Sequence, residues 1–416
     1  MTGSGFSLAG ARMRYREANA ATLRWMLARP RLGGDFLNTK ANSLSLGDYG
    51  DADGLRGPAC LYGWIQGRGL EAVAMHAEFF KAEDPALASE LDETGRALYE
   101  ALCRLKRRDG HGYFCYDHDL EPVYADSDGA LHRQAPADDV FTYSDAFFAK
   151  GLIAGAARYA RADLPEHLTY LAEVIDAIEQ QRFQMDERRQ LSPRAAADEP
   201  DDFGPRMILL GAAGLLHRVG LGEHSAFADR FIAHVLERHF DPESGLLRNV
   251  PGADVCNVGH AIEFVGFALD HFQGDAEPAL VQQLQSVLGS SFARGFVGPG
   301  LCLSVSAATG NPLSPYFPWW SLPETIRSAA LCFTATGDGE ALRIWEQADH
   351  AFFTRYWRGS LAYQTLTRNG PVDFVPATPD LDPGYHTGLS LLAAIHAADR
   401  ISIRPLRKVS ERERPN

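Results

Sequence analysis

Apolar positions recur at intervals of three and four along most of the chain, the spacing that lines one face of an α-helix. Helical runs are predicted over residues 11–28, 60–80, 87–106, 143–162, 165–182, 205–219, 225–239, 264–272, 279–294, 323–336, 339–356 and 385–401. Pro30 closes the first run, Ser144 can cap the fourth and Pro165 opens the fifth, each at a position the residue suits. Period-two patterns are brief. Gly112-Tyr113-Phe114-Cys115-Tyr116, an Asp/His-rich turn and Glu121-Pro122-Val123-Tyr124 predict one small hairpin, and residues 360–375 a second. Helices thus arrive in pairs at a period of roughly 35–60 residues, which implies a solenoid or a closed ring. A flat bundle of this size would need more than one core, so the expectation is an all-α barrel of helical hairpins, with small β-hairpins inserted in its loops. One domain is expected over residues 1–402, followed by a polar tail over 403–416 in which charges alternate with Ser and Pro.

Composition narrows the function classes. The chain has 416 residues, 45% of them hydrophobic, enough for a large core. Its net charge of −14 argues against nucleic acid or anionic membranes as partners. Six cysteines are scattered without a CxxC pair, so zinc ribbons and thioredoxin-like chemistry are not expected. The N-terminal residues show no charged segment leading into an apolar run, and no apolar run reaches the ~18 residues of a membrane span. A cytoplasmic protein with reduced thiols and no cofactor is expected.

Candidate chemistry sits where loops enter helices. In Cys256-Asn257-Val258-Gly259-His260-Ala261-Ile262-Glu263 the His and the Glu are three apart, so an imidazole and a carboxylate share a face. A carboxylate beside a His favours the cation and can fix its tautomer. Phe317-Pro318-Trp319-Trp320-Ser321-Leu322-Pro323-Glu324 pairs an aromatic platform with an acid in the first helical turn. Asp382-Pro383-Gly384-Tyr385-His386 repeats the pattern of a Gly, then a His, then an apolar helix. Two imidazoles at equivalent junctions of a ring suit proton transfer at carbon, one as base and one as acid. Arg68, in an otherwise apolar helix, is either paired or holds a substrate oxygen. Other patterns are weaker. Asp109, His111, Asp117, His118 and Asp119 read as solvent-facing turn chemistry before a metal site, and Ser290, Ser291 and Ser304 lack a nucleophile elbow.

Five segments occur in one order: Trp64-Ile65-Gln66-Gly67-Arg68, Tyr143-Ser144-Asp145-Ala146-Phe147-Phe148, Gly259-His260-Ala261-Ile262-Glu263, Trp319-Trp320-Ser321-Leu322-Pro323-Glu324 and Gly384-Tyr385-His386. Together they resemble the N-acylglucosamine 2-epimerase family, which includes cellobiose 2-epimerases, mannose isomerases and sulfoquinovose isomerases. The resemblance implies an (α/α)6 barrel, metal-free sugar chemistry, often a homodimer, and His260 and His386 as catalytic residues. It also implies that Arg68, Glu263, Trp320 and Glu324 line the pocket, with Tyr385 beside His386. Family members carry a His and a Glu on a central helix. Here Ile208 and Gly211 stand in their places, and Arg206 next door is the expected substitute for the lost polar contact.

The expected reaction is therefore 2-epimerisation or aldose–ketose isomerisation of an open-chain sugar through an enediolate. His386 would act as the base and His260 as ring-opening acid or second base, held by Glu263. Two rivals stand beside it: a glycoside hydrolase or lyase using Glu263 and Glu324, and a non-catalytic sugar-binding protein suggested by Ile208.

Overall fold

The computed structural model describes residues 6–126, 128–375 and 380–403. Among them are thirteen α-helices: α1 (Leu8–Leu27), α2 (Gly63–Glu83), α3 (Pro85–Asp109), α4 (Tyr143–Tyr159), α5 (Leu164–Glu179), the one-turn α6 (Pro193–Ala197), α7 (Gly204–Arg218), α8 (Phe227–Arg238), α9 (Val258–Phe272), α10 (Pro278–Gly295), α11 (Ser321–Thr336), α12 (Gly339–Ala351) and α13 (Ser390–Ile403). Apart from α6 they alternate between two layers. Helices α2, α4, α7, α9, α11 and α13 pack side by side in an inner ring, and each has its hairpin partner, α3, α5, α8, α10, α12 or α1, outside it. This is the (α/α)6 barrel.

Sequence explains the layering. Inner helices are apolar nearly all round: α4 buries thirteen consecutive residues from Ser144 to Ala156, as a helix surrounded by others must. Outer helices keep a polar stripe. Two of them are started by capping aspartates: Asp84 accepts from the Leu87 amide at 3.2 Å in α3, and Asp338 accepts from Ala341 at 3.1 Å in α12. Close crossings use glycine. A Cβ on Gly67 would lie 2.7 Å from the Phe147 backbone, and one on Gly151 would lie 2.5 Å from the Gly67 carbonyl, so α2 and α4 touch backbone to backbone there. The two chain ends close the outer layer. Helix α1 packs on α13; Arg12 pairs with Asp399 at 2.7 Å, Asn19 donates to the Gly388 carbonyl at 3.0 Å, and Trp345 donates to the Tyr15 hydroxyl at 2.8 Å.

Short strands gather where the inner helices begin. Leu61–Tyr62 leads into α2, Phe141–Thr142 into α4, Val255–Cys256 into α9 and Phe317–Pro318 into α11. The first predicted hairpin is Cys115–Tyr116 paired antiparallel with Pro122–Ala125, extended by Leu61–Tyr62 and Leu131–Arg133 into four strands. The second is Thr365–Thr367 with Gly370–Pro371, to which Phe317–Pro318 adds a strand. Several predicted helices start earlier than their apolar runs, two of them at the cavity. Helix α9 begins at Val258 and α11 at Ser321, because Asn257 caps the former and an aromatic pair precedes the latter. The predicted tail lies, beyond residue 403, outside the described residues. No described helix is long and apolar enough to cross a membrane, and all six cysteines are buried and unpaired.

Candidate active site

The N-terminal ends of the inner helices surround a cavity of about 230 Å³. Trp64 and Arg68 reach it from α2, Tyr143 from α4, Ile208 from α7, His260 and Glu263 from α9, Trp319 and Trp320 from the entry to α11, and His386 from the turn before α13. Helix N-termini carry partial positive charge, so their convergence favours an anion that forms in the cavity.

His386 is the most constrained of these groups. It sits in a single π-helical turn, Tyr385–Leu389, a local widening of the helix common at functional sites. Gly384 enters the turn with φ +86°, a backbone state that suits glycine. Asp382 then caps it: Oδ1 accepts from the amides of Tyr385 at 3.0 Å and His386 at 3.2 Å, and Oδ2 from Thr387 at 3.0 Å. The imidazole Nδ1 lies 3.0 Å from Glu324 Oε1, and Glu324 Oε2 is 2.9 Å from Arg327 Nη1. A carboxylate held by a guanidinium accepts from Nδ1–H, which fixes the tautomer and leaves Nε2 with its lone pair. Burial pushes the His386 pKa down; the Glu324 hydrogen bond works against that and Arg68 adds to it, with the net shift downward. Burial raises the Glu324 pKa, but Arg327 and His386 outweigh it and hold the carboxyl below its ordinary value.

His260 is set differently. Its backbone amide donates to the Asn257 side chain at 3.1 Å, the cap of α9. Its ring is half-buried against Trp320, centroid to centroid 5.1 Å, and the same indole lies 5.7 Å from the His386 ring. Among the described residues neither ring nitrogen of His260 has a hydrogen-bond partner. Burial first, then repulsion from His386 when it carries a proton and from Arg68, lowers its pKa to about 4.

Glu263 stands apart from the role the i,i+3 spacing suggests. Its carboxylate makes no ion pair with His260, and Oε1 lies 3.9 Å from His386 Nδ1. Burial and then the neighbouring Glu324 raise its pKa to about 8, so it is mostly protonated at pH 7. The carboxylate therefore does not favour a charged His260. Its acidic partner in the barrel is Glu324.

Arg68 is buried and packed between aromatic faces, its guanidinium carbon 4.2 Å from the Phe147 ring centre, 4.7 Å from Trp64 and 5.4 Å from Tyr385. No carboxylate of a described residue lies within salt-bridge distance, and burial lowers its pKa to about 10, still charged at neutral pH. Tyr385 itself does not line the cavity. It lies beneath, where its hydroxyl meets the Nζ of Lys150, a buried ammonium 3.3 Å from Glu71. Trp319 donates its indole N–H to Thr387 at 3.2 Å and so ties the α11 entry to the His386 turn.

Two positions singled out in the sequence differ from expectation. Ile208 does line the cavity, but Arg206 does not. Two residues along a helix is about 200°, so the neighbour of a cavity residue points outward. Arg206 instead pairs with Asp201 at 3.2 Å on the outer side of α7. The space opposite Gly211 is filled from elsewhere: a Cβ there would lie 3.0 Å from both Lys150 Nζ and the Phe267 ring. Arg327, Asp382 and Asn257 were not singled out. Arg327 was visible as an i,i+3 partner of Glu324, and Asp382 as an Asp-Pro-Gly turn opener. Lys150 gave no local signal.

Among the described residues, three groups bring metal-ligating atoms within 4.8 Å of one another: Glu263, Glu324 and His386; Asp117, His118 and Asp119 on the exposed hairpin turn; and Asp201, His234 and His239. In the first, Arg327 already supplies positive charge to Glu324. His111 lies apart from the exposed turn, 3.1 Å from Asp145.

No family model matches this sequence, and no curated protein matches it. Solved structures do. Cellobiose 2-epimerase from Bacillus thermoamylovorans B4167 superposes with a TM-score of 0.69 at 17% identity, over 93% of this chain and 99% of that one. A D-mannose isomerase gives 0.69 at 11% identity, over 94% and 100%. A family 76 glycoside hydrolase (mannosidase) from Bacteroides thetaiotaomicron gives 0.52 at 12% identity, over 95% and 100%. The likeness supports the resemblance that the ordered sequence segments carry, and what it establishes is the fold: this chain is an (α/α)6 barrel of the kind that cellobiose 2-epimerase and D-mannose isomerase share.

Proposed function

We propose that the chain is a sugar isomerase, a 2-epimerase or an aldose–ketose isomerase, that moves a proton at C2 of an open-chain sugar with His386 and His260. The observation that carries this reading is the relay Arg327–Glu324–His386, which holds a neutral imidazole in one tautomer at a cavity wall with a second imidazole across Trp320. In that scheme Nε2 of His386 takes the proton from C2. The C–H electron pair forms a C1–C2 double bond, and charge moves to the carbonyl oxygen. Arg68 and the converging helix ends stabilise that oxyanion, as preorganised charge in a closed site does. Delivery of the proton to C1, with the O2 proton passing to O1, gives the ketose; delivery to the other face of C2 by His260, which first takes a proton from solvent while His386 gives its own up to solvent, gives the epimer.

The glycosidase reading is weaker. The distance limit on Glu263 and Glu324 is compatible with a retaining pair. Glu324, however, does not line the cavity, and both its oxygens are engaged, one by His386 and one by Arg327.

Incubation with free aldoses in deuterated water tests the proposal. Deuterium should enter at C2 or C1, and His386→Ala should cut exchange by about 10²–10⁴-fold. Exchange that survives in the His260→Ala/His386→Ala double variant, or release of a leaving group from a glycoside instead, would sink it.

A further inference from the structure

A second cluster lies on the outer side of α7, away from the sugar cavity. The loop before α7 supplies Asp201, helix α8 supplies His234, and the residue that ends α8 is His239. One donor atom from each lies within 4.8 Å of the others. His234 Nε2 is 3.2 Å from Asp201 Oδ1. His239 is 1% exposed and its Nδ1 meets the Arg248 carbonyl at 3.0 Å, so it donates there. Its Nε2 is buried without a hydrogen-bond partner. A buried imidazole nitrogen with a lone pair and nothing to accept from is costly unless it has a ligand. Its ring orientation, with Nδ1–H tied to a backbone carbonyl, is the support that metal-bound histidines use.

The surroundings agree. Asp201 opens onto a cavity of about 530 Å³ that Arg206, His234 and Arg238 also line, which offers an entry path and room for water ligands. Two guanidiniums compete for the carboxylate: Arg206 at 3.2 Å from Oδ1 and Arg238 at 3.6 Å from Oδ2. The Arg238 side chain is 59% exposed and free to turn to solvent.

We propose that Asp201, His234 and His239 form a site for one divalent transition-metal ion, zinc by the chemistry of two imidazoles and a carboxylate. The site shares no residue with the proton-transfer pair. Its structural role follows from Phe203, whose ring lies 5.6 Å from His239 and 6.5 Å from His260. An ion bound at Asp201 anchors the loop that carries Phe203, and so one wall against which His260 rests.

Zinc binding to the chelator-treated full-length chain, measured by competition with a chromophoric chelator, tests this. One equivalent should bind with a raised melting temperature, and cobalt should give the visible absorption of a nitrogen- and oxygen-ligated ion. His239→Ala and Asp201→Asn, checked for folding by circular dichroism, should each weaken binding at least about 10–100-fold. Arg206→Met should tighten it, because a competing cation is removed. A chain that binds no zinc overturns the proposal. So does one in which both ligand variants bind as tightly as the parent, since the ion then resides elsewhere, or one in which Arg206→Met weakens binding.

Discussion

Glu324 bridges a guanidinium and an imidazole behind the cavity wall, and its chemistry is testable in isolation. Its hydrogen bond raises the His386 pKa against the downward pull of burial. In Glu324→Gln that support goes, so the acidic limb of kcat/KM should move to lower pH while the rate falls by about 10²-fold or more, as when a His loses its orienting carboxylate. A pH–rate profile checks both effects. An unmoved limb with a lower rate would mean that Glu324 supports only the fold. At this scale the sequence was partly legible. His260, Glu263, Trp320, Glu324 and His386 were found as residues at helix starts, and the structure brings them to one place. Which carboxylate serves which imidazole was not legible. The i,i+3 spacing put Glu263 with His260, whereas the partner of His386 is Glu324, sixty-two residues away in sequence. Local spacing fixes a face of one helix, and only the ring decides what stands opposite.

Among elements, the contact between α9 and α11 sets the distance between the two histidines. Gly259 permits it: a Cβ there would lie 2.6 Å from Trp320 Cη2 and 3.2 Å from Ser321 Cβ. Gly259→Ala should therefore push the indole off α9 and spread the imidazoles that flank it. The expected result is about 1–3 kcal/mol of lost stability, as for overpacking, and a loss in kcat larger than that in KM. Thermal melts beside steady-state kinetics separate the two. The glycine reads in sequence as a break before a helix, yet its structural use is a close approach, which needs the second helix to be visible. Element type and order were legible because inner and outer helices differ in how much of their circumference is apolar. Starts were less so, since polar caps and aromatic entries such as Asn257 and Trp319-Trp320 lie outside the apolar period.

For the whole molecule, closure of the inner ring rests on α2 meeting the Tyr385–Leu389 turn. There His76 is fully buried, and a Cβ on Gly388 would lie 2.7 Å from its Cε1. Burial lowers the His76 pKa to about 4 against an ordinary 6.5. The unfolded chain then binds a proton that the folded one refuses, so this stability is complete above pH 6.5 and declines as pH falls toward 4. The full decline is about 3 kcal/mol. Urea unfolding at pH 7.5 and 4.5 should show the parent losing about 2–3 kcal/mol more than His76→Phe. Equal losses in both would place the acid sensitivity elsewhere.

The closure of the outer layer has a consequence for synthesis. Helix α1 is made before the other described helices. Arg12 and Arg16 find Glu83 on α2 soon afterwards, yet its other partners, Asp399, Gly388 and Trp345, are made only after most of the described chain. Until those residues have been translated, the side of α1 that packs on α13 has nothing native to cover it. The N-terminal hairpins can assemble as they emerge, since α2 finds α3 and α4 nearby, but α1 must wait. Among the described helices, the first made is thus the last to be fully placed.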